Sequence, residues 1–147
     1  MNATIDHCIT VCNKLLRGEI SAVETYEQAI DNLSDSSAAS ELQRILSEHV
    51  SAVDRLSDHV REMGGTPDTS SGAWGSFANA FQGAANLFGD ESSIKSLKTG
   101  EASGRDDYQD ALRDEEVMPE ARNMIREELL PATISHISSL ERLEEAG

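Results

Sequence analysis

Two glutamates occupy positions where the periodicity of their helices favours apolar residues. Glu19 and Glu101 each follow a glycine, and each precedes a tyrosine, Tyr26 or Tyr108, by seven residues. In both copies the neighbouring positions at steps of three and four are mostly apolar, which defines one buried face of a helix. A buried carboxylate needs a counter-charge or hydrogen-bond donors. The repeat therefore predicts a polar or metal-binding centre inside a helical bundle, with Glu19 and Glu101 facing each other across its axis.

Two histidines are candidate partners for these carboxylates. His49 lies at the centre of the apolar face of the second predicted helix, and His136 is flanked on its own face by Leu129 and Leu140. At 1.5 Å per residue, Glu19 and His49 lie at about the same depth from the turn that joins their helices. The expected inward cluster is Glu19, His49, Glu101 and His136.

Two carboxylates and two imidazoles could hold one tetrahedral zinc or another single divalent ion such as iron. A dinuclear iron centre also needs a Glu-x-x-His on each of two helices. This chain has no Glu-x-x-His, and alignment on the two histidines places Leu46 and Thr133 at the bridging-glutamate positions. We therefore expect no di-iron oxidase activity. The alternative is a metal-free layer in which the glutamates bond to the histidines and to Tyr26 and Tyr108.

Cys8 and Cys12 lie one helical turn apart on one face. A disulfide within a helix would be strained at this spacing, so we interpret them as small core residues. A soft metal site that includes the adjacent His7 is the alternative. We expect His7, near the chain end, and His59, near the edge of its helical face, to lie at the surface or the rim.

Four amphipathic patterns predict the elements that position these residues. The first two helices and the last two repeat each other as pairs, which indicates two helical hairpins joined by one long connection. Helix-stop signals follow the second pattern at 64–67, and Pro119 suits a first helical turn. Pro131 should kink the last helix or loosen one of its hydrogen bonds. The predicted helices are about 3–33, 37–63, 92–112 and 119–145, with a crossover at 64–91. The fold class is all-α, a ferritin-like four-helix bundle in a single domain spanning 1–147.

The crossover contains aromatic residues at helical spacing, and its polar positions lack Lys and Arg. We predict a short helix over 74–88 that packs on the bundle. The alternative is a surface for self-association, whereas insertion into lipid would require basic residues on the polar face. The residues of this predicted interaction surface are Trp74, Phe77, Phe81 and Phe88.

The chain is strongly acidic, with 27 acidic and 12 basic residues and a net charge of −15. Such a surface should repel nucleic acid and anionic membranes. There is no apolar run long enough to span a membrane and no apolar signal region at the N-terminus, so we expect a cytoplasmic location. Hydrolase, kinase and nucleotide-binding motifs are absent from the sequence.

The Gly-Glu-(x)2-Ala-(x)3-Tyr pattern of the first helix resembles rubrerythrin and other ferritin-like proteins, in which that glutamate is an iron ligand. The whole chain resembles a bacterial four-helix-bundle family, the domain of unknown function 2383. Its hallmarks here are Gly64-Gly65-Thr66-Pro67, Ser71-Gly72-Ala73-Trp74, and Gly100-Glu101 through Tyr108 to Leu112. The resemblance implies a ferritin-like fold and no established activity.

Two functional hypotheses follow. The first is a non-enzymatic bundle without a cofactor, a homo-oligomer such as a dimer, that acts through protein–protein contacts. The second is a metal-binding protein that holds iron or zinc in the central Glu/His cluster. A stoichiometric metal would favour the second, and the missing Glu-x-x-His favours the first.

Overall fold

The computed structural model describes residues 3–71 and 89–146, and all the regular structure in these ranges is helical. The observed helix bounds agree with the predicted ones to within one turn, and the predicted four-helix bundle is confirmed. The elements are α1 (Ala3–Asn32), α2 (Ser36–Glu62), α3 (Gly89–Arg113), α4 (Pro119–Met124), a π-helical turn (Ile125–Leu129) and α5 (Leu130–Ala146). The last three run on continuously as the fourth helix of the bundle.

A short capped turn joins α1 to α2 and also fixes the start of α3. The Asp35 carboxylate accepts hydrogen bonds from the backbone N–H groups of Ser37 at 2.9 Å and Ala38 at 3.3 Å, which caps α2. The Asp90 carboxylate accepts from the backbone N–H groups of Ser34 at 3.1 Å and Asp35 at 3.0 Å. Because α3 begins beside this turn, the connection from the far end of α2 must return along the bundle.

The described part of the connection follows α1 back towards that turn. Gly64 ends α2 with a φ of 88°, a conformation that glycine adopts without strain. The Asn13 side chain then donates to the Thr66 carbonyl at 3.1 Å, and the Ser71 hydroxyl donates to Glu24 at 2.7 Å. The predicted helix over 74–88 and its aromatic residues Trp74, Phe77, Phe81 and Phe88 lie outside the described residues.

The sequence predicts a distortion at Pro131, and in the structure it takes the form of a π-helical turn just before the proline. Proline lacks an N–H, and its ring would crowd the carbonyl of Glu127 in a regular helix. The helix widens instead, so that the N–H of Leu130 donates to the carbonyl of Ile125. Turns of this kind are frequent at functional sites, and this one borders the cavity described below.

The core divides into three apolar clusters along the bundle, with a polar layer between the first two. The cluster near the α1–α2 turn includes Leu42, Ile45, Ile94, Leu97 and Leu140. The middle cluster includes Leu15, Leu16, Leu56, Ile125 and Leu129. The cluster at the opposite end includes Cys8, Cys12, Val60, Val117 and Ala121. No helix among the described residues is long and apolar enough to cross a membrane.

Candidate metal centre

His49 lies between the two glutamates of the sequence repeat. Its Nδ1 is 2.5 Å from Glu19 Oε1, and its Nε2 is 2.7 Å from Glu101 Oε2. Only 3% of His49, 7% of Glu19 and 1% of Glu101 is exposed, so the predicted burial of both glutamates is confirmed. With a carboxylate against each ring nitrogen, both nitrogens donate and the ring is an imidazolium.

His136 extends this arrangement to the fourth helix and to the surface. Its Nδ1 is 3.3 Å from Glu101 Oε1, and its Nε2 is 2.8 Å from Glu48 Oε1. The structure thus brings the four predicted residues together and adds Glu48, whose side chain is 41% exposed. Sequence periodicity did not select Glu48 because it lies at the edge of the apolar face of α2, where its reach across to His136 depends on helix packing.

The two tyrosines of the repeat bond to the glutamates crosswise. The Tyr26 hydroxyl donates to Glu101 Oε2 at 2.5 Å, and the Tyr108 hydroxyl donates to Glu19 Oε2. Each tyrosine therefore supports the glutamate of the other copy, so the repeat forms a reciprocal pair across the bundle. Burial, together with the nearby glutamates, raises the pKa of both tyrosines well above the usual value. They remain neutral donors that orient the carboxylates.

The charged residues of this layer shift each other's pKa values. Burial alone would lower the pKa of His49, but the charges of Glu101 and Glu19 and their hydrogen bonds outweigh burial and raise it to about 10. Burial alone would raise the pKa of Glu101, but the charge of His49 and the hydrogen bond from His136 lower it to about 2. At neutral pH the layer therefore contains a protonated His49 beside the ionised carboxylate of Glu101.

The predicted metal ligands of this layer bring their donor atoms close together. One ligand atom from each of His49, Glu101 and His136 lies within 4.8 Å of the others, and Glu19 adjoins them. At the positions where a dinuclear centre needs bridging glutamates, Leu46 is a buried apolar residue. The hydroxyl of Thr133 donates to the Leu129 carbonyl at 3.0 Å. Neither position offers a carboxylate to a second ion.

A cavity of about 190 Å³ opens beside the layer, between α2 and the fourth helix. Glu48, His49 and His136 lie on its inner side. Arg55 and Glu128, which form an ion pair at 2.5 Å, line it further out. The cavity therefore gives water and small ions a route to the histidines.

A second cluster of donor side chains lies at the far end of the bundle. Cys8 and Cys12 are fully buried free thiols, as predicted. The prediction that His59 lies at the surface or the rim is wrong, because this residue continues the buried stripe of α2 and only 8% of it is exposed. His7 does not join the cysteines, since its Nε2 is 2.7 Å from Asp114 Oδ2. One ligand atom from each of Cys8, Cys12 and His59 lies within 4.8 Å of the others.

Two solved structures share this architecture. A ferritin-like, diiron-carboxylate protein from Bacillus anthracis str. Ames matches 98% of this chain and 99% of its own, with a TM-score of 0.76 and 19% identity. A dodecameric thioferritin, the bacterioferritin-related protein from Bacteroides fragilis, matches 97% of this chain and 90% of its own, with a TM-score of 0.68 and 16% identity. At these identities the likeness shows the fold alone.

In sequence, no protein with a curated description matches this chain. The model of the domain of unknown function 2383 matches residues 7–114, which include most of α1, all of α2 and α3, and three of the four central residues. This match confirms the resemblance that the helix-end and Gly-Glu motifs indicate. The chain therefore belongs to the family of the domain of unknown function 2383, with a ferritin-like fold.

Proposed function

We propose that this protein binds one divalent cation, of the iron or zinc class, in its central Glu/His layer, and that it does so without oxidase activity. The observation that carries this proposal is the position of His49 between Glu19 and Glu101. The two buried carboxylates, which come from different helices, enclose a single positive charge. In the metal-free protein the proton on His49 supplies this charge. A bound divalent ion would supply that positive charge in place of the proton.

The donor types support a borderline or hard divalent ion. The nearest set is two imidazoles, of His49 and His136, and one carboxylate, of Glu101, with Glu19 adjoining as a second carboxylate. Such nitrogen and oxygen donors suit zinc and ferrous iron. Tyr26 and Tyr108 hold the carboxylates in place, as the outer-shell hydrogen bonds of metal sites commonly do. Binding would require His49 to lose its proton, so we expect affinity to rise with pH.

The same layer argues against a ferroxidase. Oxidising ferrous iron at a dinuclear centre requires carboxylates that two ions share, and Leu46 and Thr133 stand where these would be. We expect no rapid, saturable oxidation of ferrous iron by the purified protein. Rapid oxidation that is abolished in Glu19→Ala would overturn this part of the proposal.

The direct test is metal stoichiometry, measured on protein purified without a chelator or an affinity tag. The Cys8→Ser/Cys12→Ser variant isolates the central layer, and in it we expect one zinc or ferrous ion per chain by anaerobic titration, with release of a proton. Glu101→Gln in this background should abolish binding, because the amide has nearly the same shape but no charge. His7→Gln is the matched control, because His7 is distant from the layer and partly exposed.

The outcome that would overturn the proposal is equally specific. If the cysteine-free protein binds no stoichiometric metal at neutral or mildly alkaline pH, the layer is a metal-free hydrogen-bonded core. Equal binding by the Glu101→Gln variant would place any bound metal elsewhere.

Self-association is a second candidate function, favoured by an apolar groove on the α1–α2 hairpin. The groove has a volume of about 190 Å³ and is lined by Ile20, Val23, Glu24, Val50 and Val53. Val50 is 44% exposed, and among the large apolar residues that the structure describes only Ile134 is exposed to a similar degree. A second copy of the chain would bury these side chains, and apolar contact would offset the repulsion between two chains of charge −15.

This second candidate is tested by the mass of the protein in solution. We expect light scattering to show an oligomer, and Val50→Lys to shift it towards monomer with helicity unchanged. Glu27→Lys is the control, because Glu27 is an exposed residue of α1 outside the groove. The predicted interaction surface of Trp74, Phe77, Phe81 and Phe88 is tested separately, since Phe81→Ala should reduce the mass if the contact lies there.

A further inference from the structure

The end of the bundle opposite the α1–α2 turn contains a group of side chains that the central layer does not use. Cys8 and Cys12 lie on one face of α1, and His59 lies opposite them on α2. Both thiols are completely buried and His59 is nearly so. Apolar residues of three helical segments and their loops surround the group, including Val60, Val117, Ala121, Met63 and Met118.

His59 carries the observation that points to a ligand. Its Nε2 is the one buried side-chain nitrogen or oxygen among the described residues that has no hydrogen-bond partner. A buried polar atom without a partner destabilises the fold, because it has lost its hydrogen bonds to water without replacing them. Native structures rarely retain such an atom without a reason. An unpaired imidazole nitrogen beside two thiols has the lone pair that a metal ion requires.

The other nitrogen of the same ring lies near a carboxylate, but beyond hydrogen-bond distance. His59 Nδ1 lies 3.7 Å from a carboxylate oxygen of Glu62 on the exposed side of α2. A metal-ligating histidine commonly directs its second N–H at a carboxylate, which fixes the ring and leaves the first nitrogen free to bind. Here Glu62 faces Nδ1, and the buried Nε2 is left for the interior.

We propose that Cys8, Cys12 and His59 form a second metal site, separate from the Glu/His layer, for a thiophilic divalent ion of the zinc class. One ligand atom from each residue already lies within 4.8 Å of the others. Zinc bonds sulfur at about 2.3 Å and imidazole nitrogen at about 2.0 Å, which places its donors roughly 3.5 Å apart. The donor atoms would therefore have to approach one another by about 1 Å to bind zinc.

Charge balance selects a divalent ion over a monovalent one. Two thiolates and a neutral imidazole around a divalent ion sum to zero, which suits an apolar interior, whereas cuprous ion would leave a buried negative charge. Soft thiolate donors also favour zinc over magnesium or calcium. In the metal-free protein burial and the neighbouring Cys8 raise the pKa of Cys12 to about 12, so binding zinc displaces thiol protons into solvent.

Cobalt(II) is the probe that distinguishes this site from the central one. Titrated anaerobically into the full, reduced chain, Co²⁺ should produce a thiolate-to-cobalt charge-transfer band whose final intensity corresponds to one thiolate-bound cobalt per chain, and which disappears when Zn²⁺ is added. The Glu101→Gln variant should retain this band, because the central layer contains no sulfur. The Cys8→Ser/Cys12→Ser variant should lose it.

His59→Leu is the second variant, and it keeps both thiols. It therefore tests the proposed site even if the cysteine variant folds poorly. Loss of His59 should weaken zinc binding by more than about 100-fold, since loss of an outer-shell partner alone costs 10- to 100-fold. A missing charge-transfer band in the wild type would overturn the proposal. So would a band that persists in the double cysteine variant, or protein that binds Cu⁺ but not Zn²⁺.

Discussion

The two buried histidines of α2 occupy opposite environments. Both ring nitrogens of His49 face carboxylates at hydrogen-bond distance. His59, ten residues further along the same helix, has one nitrogen near an exposed carboxylate and the other without a partner. His49 is thus fixed as a cation in a polar layer, and His59 is a nearly buried imidazole beside two thiols.

The difference shows that burial alone does not define a histidine's chemistry. At His49 the protein satisfies the ring completely, and a metal must displace a proton from a stable network. At His59 the buried Nε2 has no hydrogen-bond partner, and a metal would bind it together with the two thiols. For His49 we therefore expect a large contribution to the free energy of unfolding and metal binding that depends on pH. For His59 we expect a small contribution without metal and a large gain in stability when metal binds.

The largest expected effect is that of replacing His49 with leucine in metal-free protein. His49→Leu would leave Glu19 and Glu101 buried without the cation between them, and removing one partner of a buried ion pair costs about 3–5 kcal/mol. The measurement is the free energy of unfolding from urea titrations at pH 7 in the presence of a chelator. A loss below about 1 kcal/mol would show that the carboxylates do not depend on the His49 charge.

Sequence periodicity predicted which residues form this layer, but not which of them bond to each other. The steps of three and four residues placed Glu19, His49, Glu101 and His136 on inward faces, because helix geometry alone fixes which residues share a face. The repeat also identified Tyr26 and Tyr108 as residues of the same faces. It could not show that each tyrosine bonds the glutamate of the other copy, since that pairing depends on the distance between α1 and α3.

Edges of helical faces were the least predictable part. Glu48 and His59 each lie near the boundary of the apolar stripe of α2, where a small rotation of the helix decides between core and solvent. Packing turned His59 inward against Cys8 and Cys12 and directed Glu48 across to His136. The π-helical turn before Pro131 illustrates the same limit, because the proline predicts a distortion but not whether the helix bends or widens.

The second prediction concerns pH. The folded-state pKa of His49, about 10, lies above the ordinary histidine value of 6.5, so its contribution is complete below about pH 6.5 and is lost as pH rises through 10. The folded-state pKa of Glu101, about 2, lies below the ordinary 4.5, so its contribution is complete above about 4.5 and is lost as pH falls through 2. We expect maximal stability between about pH 4.5 and 6.5.

On the alkaline side the unfolding free energy should fall by up to about 1.4 kcal/mol per pH unit from this one group. Urea titrations of metal-free protein between pH 6 and 10 measure the slope. His49→Leu is the control, since the slope attributable to the layer should vanish in that variant. An unchanged slope would assign the pH dependence to other groups.

The tyrosines give a third, smaller effect that tests the reciprocal pairing. Each donates a hydrogen bond to a buried carboxylate, so Tyr→Phe should cost about 1.5–3 kcal/mol. Tyr108→Phe should cost more than Tyr26→Phe, because Glu19 would retain only His49, whereas Glu101 would retain both His49 and His136. Equal losses on urea unfolding would indicate that the two carboxylates are equally supported.

The smallest expected effect is that of His59→Leu in metal-free, reduced protein. Leucine fills a similar volume and removes a nitrogen that has no partner, and replacement of an unsatisfied buried group by an apolar one can be neutral or stabilising. We therefore expect the free energy of unfolding to stay within about 1 kcal/mol of the wild-type value, in contrast to the loss at His49.

Zinc should make the wild type more stable than the His59→Leu variant, since saturation at 100 times the dissociation constant adds about 2.7 kcal/mol to a protein that binds it. The wild type would then exceed His59→Leu in stability, while Glu101→Gln would keep the zinc increment that comes from the cysteine site. If His59→Leu loses several kcal/mol without metal, the ring supports the fold directly, and the contrast between the two histidines of α2 does not hold.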